Sequence, residues 1–183
     1  RGQGGKYLIL PPDYNGELEG PIGGKEQVIN GETYFVTKSP SYVNWVALRG
    51  FLVDGKSDTA TKMWKEGLKI YPLSKADTPP SMEFINGSGK TFNTIHANNF
   101  QFYEELNDIV QREPIELFSP EIRGQFASIG IQKGKPFNPD QRMKVILTDA
   151  VAVANATARA TLWYERNSEE FLYDGSNWKR GYP

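Results

Sequence analysis

Between Glu83 and Asn98 the sequence gathers a carboxylate, an amine, an imidazole and several amides: Glu83, Asn86, Lys90, Asn93, His96 and Asn98. Imidazole is the side chain whose unperturbed pKa lies nearest neutrality, and His96, the only histidine, is therefore the natural general base. The asparagines around it could orient a carbonyl, an amide or a polar ligand, but asparagines near helix starts also cap backbone groups, and a histidine there can do the same. Gly87-Ser88-Gly89-Lys90-Thr91 invites comparison with a nucleotide-binding loop. Its spacing does not fit, because Phe84 stands where that loop requires its first glycine. The Gly87 to Lys90 amides are left either as a nest for an anion or polar ligand, or as a plain turn.

Other chemistries are thinner. No serine lies in a Gly-x-Ser-x-Gly elbow. Of the carboxylates, Glu104 and Glu105 are neighbours on a helix and do not share a face, whereas Glu83 adjoins the Asn86 to Lys90 turn. A glycosidase would need a second carboxylate facing Glu83, which sequence cannot supply. With no cysteine there is no disulfide, thiolate nucleophile or zinc ribbon, and a single histidine excludes a histidine cage. No metal and no cofactor is expected. A formal net charge of −1 argues against a nucleic-acid or anionic-membrane footprint. No uninterrupted apolar run approaches the roughly 18 residues of a membrane span, and the chain is expected to be soluble.

The elements that must position these residues follow from turn and cap signals. The chain has 183 residues, 13% of them aromatic, enough to bury a core. Lys6 to Leu10 reads as a strand stopped by Pro11-Pro12, entering so early that its partners are expected upstream of the sequence. Glycine and asparagine turns crowd Asp13 to Glu32, a surface loop with room for one short hairpin. Tyr34 to Thr37 and Tyr42 to Val53 read as strands, the second central and covered on both faces. A helix follows Ser57 or Asp58, with Ala60, Met63, Trp64, Gly67 and Leu68 on one stripe. Phe102, Leu106, Ile109 and Val110 predict a second helix from about 98 to 112.

Two starts carry a Ser/Asn-Pro-acid signature. Ser119-Pro120-Glu121 predicts a helix running to Gly130. Asn138-Pro139-Asp140-Gln141 predicts one from Pro139 to about Tyr164, capped by Asn138 with Gln141 at N3. Alanines at 150, 152, 154, 156, 158 and 160 make this either a buried central helix or simply a good helix former. Glu169 to Pro183 reads as the start of further β structure, and the whole as an internal segment of a longer chain.

Gly4 to Pro12, Arg49-Gly50-Phe51, Gly67 to Leu73, Phe84 to Lys90, Phe92 to Asn98, Ala127 to Ile131 and Gly134 to Phe137 together are similar to the bacterial family called domain of unknown function 1254, usually joined to domain of unknown function 1214. The resemblance implies a longer, exported polypeptide, periplasmic or secreted, β-rich at both ends with a helical middle. It also implies a second domain with a jelly-roll likeness to glycan-processing amidases, although fold analogy transfers no activity and no catalytic set.

The expected fold is therefore α+β: an antiparallel, jelly-roll-like β-sandwich portion over residues 1–80, a helical connector over 81–165 with one long central helix, and the start of a second β domain over 166–183. Two functions are expected from different classes. The first is a binding module for a carbohydrate or other polar ligand, held by Glu83, Asn86, Lys90, Asn93, His96 and Asn98. The alternative is a glycan or amide hydrolase with its site near Lys90 and His96, or completed by a C-terminal domain. The expected partners are the remainder of the same precursor and a small polar ligand or glycan, with self-association left open.

Overall fold

The computed structural model describes residues 5–21, 23–163, 171–173 and 175. It divides into two units, 1–93 and 94–183.

In the first unit three strands, β1 (Lys6–Leu10), β2 (Lys25–Ile29) and β3 (Glu32–Lys38), form one sheet in the order β1-β3-β2. Asn30 and Gly31 both take positive φ, 51° and 81°, the two-residue hairpin turn whose twist matches paired strands. That turn sets the antiparallel register of Ile29 opposite Glu32. β1 lies on the other side of β3 and runs parallel to it, Leu8 opposite Val36. Period-2 alternation sends Tyr34 and Val36 to one face, where they meet Leu10, Leu8, Tyr14, Leu18, Ile29 and Leu73. On the other face Tyr7 and Phe35 make an edge-on ring contact at 5.8 Å.

Three expectations change here. The α+β class holds, but the described strands form a single mixed sheet with a parallel pair, not an antiparallel sandwich. β1 has a partner within the sequence, the downstream strand β3. Tyr42 to Val53 forms no strand: β3 already has a neighbour on each edge, and the segment's side chains are exposed, Trp45 by 89%. An apolar run specifies burial only where something is available to pair with it and cover it. At its end Val53 and Lys56 exchange N–H···O bonds of 3.1 and 2.9 Å across the Asp54-Gly55 turn. α1 (Asp58–Gly67) follows, and its Ala60 and Trp64 face Gly50, where a Cβ would come within 2.5 Å of the Ala60 Cβ.

The second unit holds α2 (Gln101–Arg112), α3 (Pro120–Ser128) and α4 (Gln141–Trp163). Its core is Tyr103, Val110, Ile131, Leu147 and Val151, with Phe100, Leu106, Phe118, Phe126 and Phe137 packed around them. The inward stripe of α2 is Tyr103, Leu106 and Val110, so Ile109 lies outside the core expected of it. Lys133 closes the C-terminal end of α2: its ammonium donates to the carbonyls of Gln111 at 2.8 Å and Glu113 at 2.6 Å, and more distantly to Val110. These are carbonyls that a helix end leaves without partners.

α3 starts as its sequence dictates. The Ser119 hydroxyl accepts from Ile122 N, and Pro120 occupies the first turn. The Glu121 carboxyl is held below the usual carboxylate range, first by its own backbone amide, then by the Ser119 hydroxyl and the nearby Arg123. A lowered folded-state pKa contributes stability that is present above the unfolded carboxylate range and is lost as pH falls through the folded value. Amide protection of α3 is therefore expected to decline on acidification below the ordinary carboxylate range, and Glu121→Gln to flatten that decline in hydrogen exchange. An unchanged pH profile in that variant would remove Glu121 from the start of the helix.

α4 departs from expectation at its start and along its length. Asp140, not Asn138, caps it: its carboxylate accepts from Met143 N at 2.7 Å and its carbonyl from Lys144 N, placing Gln141 at the first helical position. At 23 residues α4 is about 35 Å long at 1.5 Å per residue. Only Leu147 and Val151 are buried, and Ala150, Ala154 and Ala158 are exposed. The alanines thus act through helix propensity rather than through close packing. By length and composition alone α4 is apolar enough to cross a membrane, although no uninterrupted apolar run showed this. The expected β start at Glu169 to Pro183 lies outside the described residues apart from 171–173 and 175.

Candidate functional site

Glu83, Asn86, Lys90 and Asn93 belong to the first unit, His96 and Asn98 to the second. All six are exposed. In the first unit the Gly87 to Lys90 segment is a turn: Lys90 N donates to Gly87 O at 3.1 Å, and Gly89 takes φ 71°. The Asn86 carboxamide accepts from Ser88 N at 3.0 Å, an Asx turn. Two of the amides that an anion nest would need, those of Ser88 and Lys90, are thereby engaged within the chain. Asn86 serves turn geometry, and Glu83 and Lys90 lie on the surface beside it.

In the second unit His96 Nδ1 lies 2.9 Å from Ala97 O, and its ring meets Phe102 edge-on at 5.4 Å. A carbonyl can only accept, so Nδ1 is the donor in this contact. Asn99, next to Asn98, starts α2 by accepting from Gln101 N through its side chain. Glu105 on the first turns of the same helix accepts from Gln101 Nε2 and, at 3.5 Å, from Ala97 N, tying the histidine loop to the helix. Among the described residues no group of three or more His, Asp or Glu could hold a metal ion.

Of the six, Asn98 alone lines a described concavity. This groove of about 570 Å³ runs along α4, with Ala152, Ala156 and Ala160 as its floor and Asn155, Arg159 and Trp163 beside Asn98 as its polar and aromatic wall. The helix builds it by spacing. Residues 152, 156 and 160 form one i, i+4 row and 155, 159 and 163 the adjacent row, so short side chains lie beside long ones. Asn155 and Arg159 were given no ligand role from sequence, where the alanines stood as either a buried packing surface or simply good helix formers. The usable signal was a row of amide, guanidinium and indole alongside a row of methyl groups.

Residues 1–72 match the sequence profile of a family described as a protein of unknown function (DUF1254). The match covers the sheet, the 42–53 segment and α1, while the motifs at 84–98 and 127–137 lie beyond it. No curated protein matches the chain. The chain is an α+β protein whose first part resembles a family without an assigned activity.

Proposed function

We propose that this chain is a binding module for a carbohydrate or similarly hydroxylated polar ligand, and that the groove on α4 receives it. The observation that carries the proposal is the pair of adjacent helical rows, methyl groups beside Asn155, Arg159 and Trp163, with Asn98 on the same groove. Carboxamides supply donor and acceptor together, which suits vicinal hydroxyls, and a guanidinium adds a fork of donors. An indole presents an apolar face with one polar edge, matching a pyranose ring with its axial hydrogens on one side. The alanine floor lets the ligand approach the helix without displacing a side chain.

The test is a glycan array probed with the chain, followed by titration of the retained oligosaccharide. Asn155→Ala and Arg159→Ala should each weaken binding about tenfold, as loss of a hydrogen bond to a polar or charged group does. Both should leave the unfolding midpoint almost unchanged, since neither side chain belongs to the core. Trp163→Phe should abolish any tryptophan emission change on binding. An array that retains nothing, or variants that bind as the parent does, would refute the groove as a saccharide site.

A further inference from the structure

A second concavity, sharing no lining residue with the α4 groove, lies within the same unit beside α3. It encloses about 400 Å³, within the roughly 300–1,000 Å³ of small-molecule pockets. Its walls are Val110 from α2, Phe118 before α3, Phe126 and Ala127 from α3, and Ile131 after it. Into this apolar lining comes one guanidinium, that of Arg123, whose buried Nε finds no hydrogen-bond partner among the described residues.

A buried N–H without an acceptor is uncommon in folded proteins and costs the desolvation of that group. The neighbouring charges are already engaged. Lys133, also on the wall, gives its ammonium to the carbonyls at the end of α2. Glu121 feels the Arg123 charge, but its carboxyl is held first by its own amide and by Ser119, and it makes no hydrogen bond to the Arg123 Nε. An acceptor carried on an apolar body would satisfy the Arg123 Nε and the lining together.

We infer that this cavity binds a small amphipathic monocarboxylate, its anion received by the Arg123 guanidinium and its hydrocarbon or aromatic body lying among Val110, Phe118, Phe126, Ala127 and Ile131. A carboxylate meets a guanidinium through paired charge-assisted bonds, and such bonds are stronger where water is excluded. The site is independent of the α4 groove, and each can fail without the other.

Sodium decanoate below its micelle concentration is the probe, with decanol as its uncharged match, both titrated calorimetrically into the whole chain and mapped by amide chemical shifts. Decanoate should bind about tenfold or more tightly than decanol, shifting the amides of residues 120–133. Arg123→Gln should erase that preference while leaving decanol binding as it was, and Ala127→Leu, which fills the cavity from a second position, should weaken both ligands. Far-UV circular dichroism checks that each variant is folded. If decanoate does not bind, if decanol binds equally well, or if the shifts map to α4 instead, the inference is overturned. Retained preference in folded Arg123→Gln would overturn it as well.

Discussion

Truncating Ile131 to alanine is expected to destabilise the helical unit by about 2–5 kcal/mol, the range for removing a branched aliphatic side chain from a closed core. Ile131 is 1% exposed and sits among Tyr103, Val110, Leu147 and Val151, so it joins α2, α4 and the loop after α3 in one cluster. Its backbone is fixed as well, Ile131 N donating to Phe126 O at 2.9 Å, which limits collapse into the space left behind. For a unit of this size the midpoint of the helical circular dichroism signal should fall on the order of 10 °C or more. Val153→Ala on the exposed side of α4 should barely move it. A shift of under about 2 °C for Ile131→Ala would mean that the cluster is not the core of this unit.

The first unit should respond most sharply at Gly20. A Cβ there would lie 2.5 Å from the backbone nitrogen of Lys38 and 2.7 Å from its Cβ, distances at which something must move. The neighbour is the end of β3, and the approach is close because Lys38 N donates to Gly20 O at 3.2 Å. The same strap is tied by the Lys38 ammonium to Tyr14 O at 2.8 Å and by the Thr37 hydroxyl to Pro21 O at 3.3 Å. Gly20→Ala should therefore cost about 1–3 kcal/mol through displacement of backbone against backbone. In a three-stranded sheet that is a large share of the total stability. Gly67→Ala makes the opposite prediction. It ends α1 with nothing within 4 Å of a new Cβ and no positive φ, so the unit should gain up to about 1 kcal/mol from helix propensity. Chemical denaturation separates the two by sign, and a neutral Gly20→Ala would show that the strap does not bind the sheet.

How far the sequence reached depended on whether the signal was local. Ser119-Pro120-Glu121 placed the start of α3 because the cap, the proline and the acid act within one turn. The four residues from Asn138 did so less well. Asn and Asp are both good caps, and only the direction in which the chain enters the helix gives the cap to Asp140. Tyr42 to Val53 misled because β-branched and aromatic composition reports compatibility with a sheet, whereas a strand exists only if a partner edge is free. The exposed alanines of α4 teach the same lesson for helices: small side chains permit close packing without causing it.

The candidate residues divide along the same line. Asn98, singled out by composition, lines the α4 groove, whereas Asn86 and Lys90 lie on a turn whose amides the chain uses itself. Arg123, Asn155 and Arg159 were not singled out, because nothing local distinguishes a guanidinium facing a cavity from one facing water.

By itself the sequence determined the turns, the α3 cap, the C-terminal end of α2, and the exclusion of thiol and histidine-cage chemistry. Each rests on steric limits of φ, on hydrogen bonds spanning a few residues, or on which atoms are present at all. The parallel pairing of β1 with β3, the exposure of 42–53, the outward alanines of α4 and the buried Arg123 Nε without a partner among the described residues were decided only by the tertiary structure. Those depend on which surfaces are near enough to pair, cover or leave open, and residues far apart in the chain set them jointly.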